Sequence, residues 1–252
     1  IKVRVFGAVL PEPVEITAAV AAPGRSVDAL EPFEGMRVRV ASLTLVSPTL
    51  GSITESTGVA SSNGVFYGVV TGVPRPFREP GVDVRSGLPA GAPCCVPVFD
   101  SNPERLRVDS DGQLGAAPID LPAGAVLQQV VGALDYAFRT YTILPDAGAP
   151  PRVAVEPTEP EPPREPAPAE VTVASLNVQR FFDTVDEPGK SDVVLTPAAF
   201  QMRVTRLARY VRRMLRSPDI LGVQEVENLS TLEAIASAIN SEAVADGVSN
   251  PR

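Results

Sequence analysis

Between Asp146 and Glu170 the chain runs DAGAPPRVAVEPTEPEPPREPAPAE, and this stretch constrains the rest more than any other. Proline and glutamate dominate it and no aromatic residue is present. Proline fixes φ and donates no N–H, and a segment this polar buries too little apolar surface to offset the entropy of ordering it. It is expected to run as an extended, polyproline-like spacer. The 252 residues then divide into a β-rich domain over 1–145, a linker over 146–170, and a second domain over 171–252.

Residues 1–145 read as β structure. Met36–Val46 is rich in β-branched and apolar residues, with Val38, Val40, Leu43 and Leu45 as core candidates. Ser62-Asn63-Gly64 is a turn signal, because asparagine and glycine tolerate left-handed backbone, and Val65–Val70 follows it as a strand. Val126–Leu144 predicts a long strand pair in which alternation puts Leu134, Tyr136 and Phe138 on one face. Ile1–Phe6 also reads as a strand, residues 71–124 as long loops, and no stretch of this half has helical period. Short strands at irregular spacing with glycine corners fit an all-β small barrel or sandwich.

Past the linker the period changes. Val171–Asn177 and Asp219–Val226 read as strands. Between them Thr196-Pro197 offers an N-cap and a first-turn proline. Phe200, Val204, Leu207, Val211 and Met214 then form the stripe of an amphipathic helix, which Ser217-Pro218 is expected to stop. Ser230-Thr231-Leu232-Glu233 has the form of a capping box opening a second helix. Strand, helix, strand, helix is the order of a layered α/β domain, but two strands make too small a sheet to stand alone. Residues 171–252 are therefore expected to be the truncated start of a larger domain.

Asn177 closes the first of these strands and Glu225 the second. Ligands collect at the carboxyl ends of strands in layered α/β sheets. An amide oxygen and a carboxylate meeting there make a hard-oxygen site, which suits Mg²⁺, an ion that keeps several waters and needs only one or two protein carboxylates. Spacing alone fits equally an asparagine that starts a turn and a glutamate that ends a strand. Arg203, Arg206, Arg209, Arg213 and Arg216 recur at threes and fours, as a track for a phosphate backbone or as a solvated face opposite the apolar stripe. Phe66, Tyr67, Tyr136, Phe138 and Tyr141 divide in the same way between a base-stacking platform and a core. Asp183, Asp186 and Asp192 flank the loop before the first helix as turn residues.

With 22 basic against 30 acidic residues the net charge is −8, so there is no global attraction for nucleic acid or an anionic membrane. Phosphate binding then needs a local basic patch or a bound cation. No run approaches the roughly 20 apolar residues of a membrane span, and no signal-peptide pattern is present. Cys94 and Cys95 are adjacent, with Cα atoms about 3.8 Å apart, below the usual disulfide range, so they are expected to be free or paired with another molecule. The chain contains no histidine, which removes the commonest general base and the commonest metal ligand together.

The run Ala174-Ser175-Leu176-Asn177-Val178-Gln179-Arg180-Phe181-Phe182-Asp183 is followed some forty residues on by Pro218-Asp219-Ile220-Leu221-Gly222-Val223-Gln224-Glu225-Val226-Glu227-Asn228. Together they resemble the opening of the endonuclease/exonuclease/phosphatase superfamily, and most nearly its large bacterial extracellular nucleases. The resemblance covers about residues 170–250. Leu30–Val38, Ser62–Val73 and Leu134–Tyr141 are similar to the β-rich region that precedes the nuclease domain in those proteins, other members of which carry an OB-like barrel further upstream, so the resemblance adds an OB-like form to the barrel or sandwich open for residues 1–145. It implies the truncated start of an α/β-sandwich nuclease domain, with Asn177 and Glu225 binding the catalytic divalent cation, Mg²⁺ with Mn²⁺ or Ca²⁺ as alternatives. It implies in-line attack of water on a phosphodiester of a nucleic acid substrate, in an extracellular or cell-surface bacterial setting. It also implies what these residues lack: the family completes its site with an Asp/Asn pair, a mid-chain histidine and a Ser-Asp-His ending, so this chain alone is expected to be inactive. Two other functions stay open, a β module that binds nucleic acid or a cell surface, and a phosphodiesterase of the same superfamily acting on lipid or sugar phosphates.

Overall fold

Valine-rich alternation builds the first unit, residues 1–52 and 61–157, of a computed structural model that describes residues 9–78, 81–83, 88–99, 101–137, 140–157 and 162–248. The strand expected at Ile1–Phe6, and Phe138, lie outside the described residues. The strands in chain order are β1 (Val14–Glu15), β2 (Arg37–Leu45), β3 (Gly51–Thr54), β4 (Val59–Ser62), β5 (Val65–Val70), β6 (Val82–Asp83), β7 (Val98–Phe99), β8 (Leu106–Asp109), β9 (Val126–Ala137), β10 (Thr140–Pro145) and β11 (Arg152–Val155). Five of them close on themselves in the order β2-β5-β8-β10-β9 and back to β2. Within this ring β8 and β10 run parallel, and every other pairing is antiparallel. Closure gives every ring strand a partner on both sides.

The core is the inward row of these strands: Val38, Val40, Leu43, Leu45, Phe66, Leu106, Val108, Leu127, Val130, Leu134 and Ile143, all buried. The inward row skips a residue twice, between Val40 and Leu43 on β2 and between Leu127 and Val130 on β9. Val40 pairs with Val130 and Ser42 with Gln128, so both strands change phase at one rung, where Gln129 takes a left-handed φ of 56°. Such a kink bends a two-stranded ribbon, as closing a small barrel requires. Gly132 marks a second tight place: a Cβ there would sit 1.9 Å from the Leu144 carbonyl oxygen, so only glycine lets β10 approach β9 so closely.

β2 and β9 are longer than the strands beside them. β1 covers Val38 and Arg39 at the start of β2, and β11 covers Val126, Leu127 and Gln128 at the start of β9. The expected spacer therefore begins later than its composition suggests. Asp146 accepts hydrogen bonds from the Arg37 guanidinium at 2.9 and 2.7 Å, and its N–H donates to Val131 at 2.9 Å. Val153 and Val155, β-branched and free of proline between them, let the chain pair for four residues before proline takes over. A 3₁₀ helix at Val27–Phe33, with Leu30 buried, is the one helical element of this unit among the described residues. Its seven residues, little more than two turns, are too few to show as a period, which is why the sequence reads as free of helix there.

The second unit comprises residues 53–60 and 158–252. β12 (Val173–Phe181) pairs in parallel with β13 (Ile220–Val226), and α1 (Pro197–Arg209) lies between them in sequence. The Thr196 hydroxyl accepts from the Ala199 N–H and caps α1, and Pro197 follows it. Past Arg209 the helix continues through a π turn at Tyr210–Met214, closed by the Leu215 N–H on the Tyr210 carbonyl at 3.0 Å, and it ends where Ser217-Pro218 is expected to stop it, leaving through left-handed Arg216 and Ser217. α2 (Leu229–Ala245) is capped by Asn228, not by Ser230: the Asn228 side chain accepts from the Thr231 N–H, and the Ser230 hydroxyl donates to that same oxygen. The core here is small, with Phe181, Val204 and Ile235 buried among Val178, Phe200, Leu207, Val226 and Ile239.

Candidate metal centre at the strand ends

Parallel pairing carries β12 and β13 upward in step from Val173 opposite Ile220 to Asn177 opposite Gln224. The register then breaks: the next rung joins Phe181 to Val226, so β12 advances four residues while β13 advances two. The surplus is taken up by a tight loop in which Gln179 and Arg180 have left-handed φ of 53° and 46°, facing Glu225, itself at 63°. Three non-glycine residues in this region cost of order 1–3 kcal/mol each and persist only where their surroundings hold them.

Hydrogen bonds supply that hold. Asn177 Nδ2 donates to Glu225 Oε1 at 2.7 Å, and the Arg180 N–H donates to Glu225 Oε2 at 2.9 Å. Asn177 Oδ1 accepts from the Gln179 N–H at 2.8 Å. The two residues singled out from the sequence are thus in direct contact, and both are exposed rather than buried. The Asn177 amide, then the Arg180 N–H, holds the Glu225 carboxyl below its usual range, so it is ionised at neutral pH and purely an acceptor.

As a donor set, the Glu225 oxygens each keep lone pairs facing solvent, and Asn177 Oδ1 has one lone pair beyond its bond to Gln179. One ionised carboxylate and one amide oxygen, with water in the remaining positions, fit Mg²⁺ or Mn²⁺ and do not fit a soft metal. Among the described residues no group of three or more His, Cys, Asp or Glu is arranged to hold a metal, so such an ion would keep most of its water.

Around this pair lies a polar frame. Asp183, read from the sequence as a turn residue, ties the end of β12 to the start of α2. Its Oδ2 accepts from Asn228 Nδ2 at 3.1 Å and from the buried Thr231 hydroxyl at 3.4 Å, and its N–H donates to Glu227 at 2.8 Å. Three of the five arginines of the basic stripe are engaged within the chain. Arg203 is half-buried and donates to the carbonyls of Val178, Gln179 and Arg180, Arg209 pairs with Glu242 at 3.3 Å, and Arg216 pairs with Glu165. A cleft of about 240 Å³ opens beside Asn177, lined among others by Gln179, Phe181, Arg203, Arg206 and Tyr210. Sequence reasoning names Arg203 and Asp183 but misses these contacts, because neither a helix-face arginine nor a loop aspartate differs in pattern from an ordinary surface residue.

The aromatic set in the barrel divides. Phe66 and Tyr141 are buried, so neither belongs to a stacking platform, whereas Tyr136 is 43% exposed. Tyr67 is half-buried, with the exposed Arg105 guanidinium 4.7 Å above its ring. Cys94 and Cys95 are free and exposed, their sulfurs 3.0 Å apart. No helix among the described residues is long and apolar enough to cross a membrane.

Residues 12–155 match the model of a family described as a domain of unknown function (DUF8508). The match runs from just before β1 to the last residue of β11 and leaves out Asn177 and Glu225. Comparison with curated proteins and with solved structures gave no match.

Proposed function

This chain belongs, through residues 12–155, to the DUF8508 family, and from there we propose that its other unit holds the divalent cation of a phosphodiester hydrolase acting on nucleic acid. The observation that carries this reading is the 2.7 Å contact of Asn177 with an ionised Glu225 at the carboxyl ends of two parallel strands. The resemblance of Ala174–Asp183 and Pro218–Asn228 to the endonuclease/exonuclease/phosphatase superfamily supports it, as does the strand-helix-strand-helix order of β12, α1, β13 and α2. When bound, Mg²⁺ would polarise the phosphoryl oxygen and stabilise the leaving oxygen. Glu225 supplies the anionic oxygen that holds it, and Asn177 orients that carboxylate while offering Oδ1. The 252 residues hold no histidine, so in this reading the acceptor of the water proton comes from residues outside them, in an extracellular or cell-surface bacterial enzyme.

The test is Mn²⁺ uptake by this chain, followed by electron paramagnetic resonance. One site is expected in the unsubstituted chain, weakened about tenfold or more in Glu225→Gln. Equal uptake by both would overturn the assignment. Substrate class is read in a protein that carries the missing histidines, where metal-dependent cleavage of DNA or RNA, rather than of lipid or sugar phosphodiesters, is the expected result.

A second reading has its own observation. Numbered along the chain, the five ring strands close in the order 1-2-3-5-4-1 with the third and fifth parallel, and we infer that the barrel is OB-like. Tyr67 lies on its second strand and Arg105 immediately before its third, beside the surface on which such barrels take oligonucleotides. If the barrel is the binding module, the chain retains affinity for single-stranded DNA in EDTA, and Arg105→Ala weakens it.

A further inference from the structure

Arg203 reaches the strand-end loop from α1 with both terminal nitrogens of its guanidinium. Nη2 donates to Gln179 O at 2.7 Å and to Val178 O at 3.2 Å, and Nη1 donates to Arg180 O at 3.3 Å. Its Cζ lies 4.6 Å from the centre of the Phe181 ring, which is buried in the small core. No other side chain offers several donors in one rigid plane, and lysine, a point charge, does not.

Two of those carbonyls belong to peptide units whose N–H groups hold the candidate ligands. The Val178 carbonyl shares a peptide plane with the Gln179 N–H, which donates to Asn177 Oδ1. The Gln179 carbonyl shares a plane with the Arg180 N–H, which donates to Glu225 Oε2. In a trans peptide C=O and N–H point in opposite directions, and this chain has no cis peptide among the described residues. Fixing the two carbonyls on Arg203 therefore aims the two N–H groups at Asn177 and Glu225. Without such an anchor, left-handed Gln179 and Arg180 would relax towards ordinary backbone and turn both N–H groups away.

We propose that Arg203 is a positioning residue for the divalent cation: it acts through the peptide units 178–179 and 179–180 to hold the Asn177 oxygen and the Glu225 carboxylate in register. The proposal rests on the metal reading above. It assigns this arginine to the site from behind, not to a phosphate track.

Two readouts on the full chain test it: residue-resolved amide exchange by NMR, and Mn²⁺ affinity by paramagnetic resonance. In Arg203→Met the Gln179 and Arg180 amides are expected to exchange at least about tenfold faster, with Mn²⁺ affinity falling on the order of 10- to 100-fold, while amides of α2 keep their protection. Arg203→Lys, which keeps the charge and loses the planar fork, is expected to lie between the two and guards against a Met variant that does not fold. Arg206→Met, on the next turn, is expected to change neither readout. Unchanged exchange at Gln179 and Arg180 in Arg203→Met overturns the proposal whatever the metal does. So does unchanged Mn²⁺ affinity in that variant where the unsubstituted chain binds. If the unsubstituted chain takes no Mn²⁺, the metal reading falls by itself, and with it the service to a cation.

Discussion

Every strand of the barrel ring has a neighbour on both sides, whereas β12 and β13 have only each other among the described residues. The largest fully buried side chains divide the same way: Phe66, Ile16, Leu43, Leu45, Leu106, Leu127, Leu134 and Ile143 belong to the barrel, Leu195 and Ile235 to the second unit. The barrel is held by apolar burial spread over many residues. Its left-handed backbone falls largely on glycines beside the strands, such as Gly35, Gly64, Gly72 and Gly124, with Ser101, Asn102 and Gln129 the non-glycine cases among the described residues. The second unit relies on a few named polar contacts, and it concentrates left-handed backbone at Gln179, Arg180 and Glu225, where the candidate ligands stand. Truncating a side chain should therefore do different things in the two.

The largest effect is expected from Phe66→Ala, which empties a fully buried site and should cost the barrel about 3–5 kcal/mol. Amide exchange would show β5 and β9 losing protection while α2 keeps its own. Equal loss in α2 would break the contrast between the units.

A smaller loss, about 1 kcal/mol, is expected in the second unit from Asn228→Ala, since that side chain both caps α2 and donates to Asp183. Ser230→Ala should change thermal stability little, because the cap lies two residues earlier than the sequence pattern suggests. If Ser230 proved the costlier of the two, the polar frame drawn around Asp183 would be wrong.

The finest test is pH. Glu225 is depressed in the folded chain, so its contribution is present above the ordinary carboxyl pKa near 4.5 and is lost as pH falls through the lower folded value. Carboxyl NMR should find Glu225 still ionised when exposed glutamates have protonated. In Asn177→Ala its midpoint should move back up, since the amide contributes the largest part of the depression. An unmoved midpoint would mean that Asn177 does not hold the carboxylate.

What could be read in advance followed the range of the signal. Val38, Val40, Leu43 and Leu45 declare a strand because alternation is local, and Thr196-Pro197 declares a helix start for the same reason. Asn177 and Glu225 were visible because each ends a short apolar run, and parallel pairing then brings ends together. Closure of the barrel depends on β2 meeting β9 some ninety residues later, which no local pattern encodes. The choice of Asn228 over Ser230 depends on Asp183, 45 residues upstream, occupying the asparagine's amide. Arg203 shows only as one arginine in a charged stripe, because its meaning lies in the direction of two carbonyls that belong to another segment.

β1 and β11 each contribute a handful of main-chain hydrogen bonds and almost no core, yet they sit where β2 and β9 overhang the ring. An overhanging strand is an open template, ready to pair with the same strand of another molecule. The two short strands cover that template and leave in its place outer strands of only two and four residues, a length that offers a second molecule little to pair with. They also fix where the chain can be divided for expression: cut after Pro145, where the proline-rich composition invites it, and Val126–Gln128 become a sticky edge prone to aggregation; cut after Pro157, and the edge stays covered.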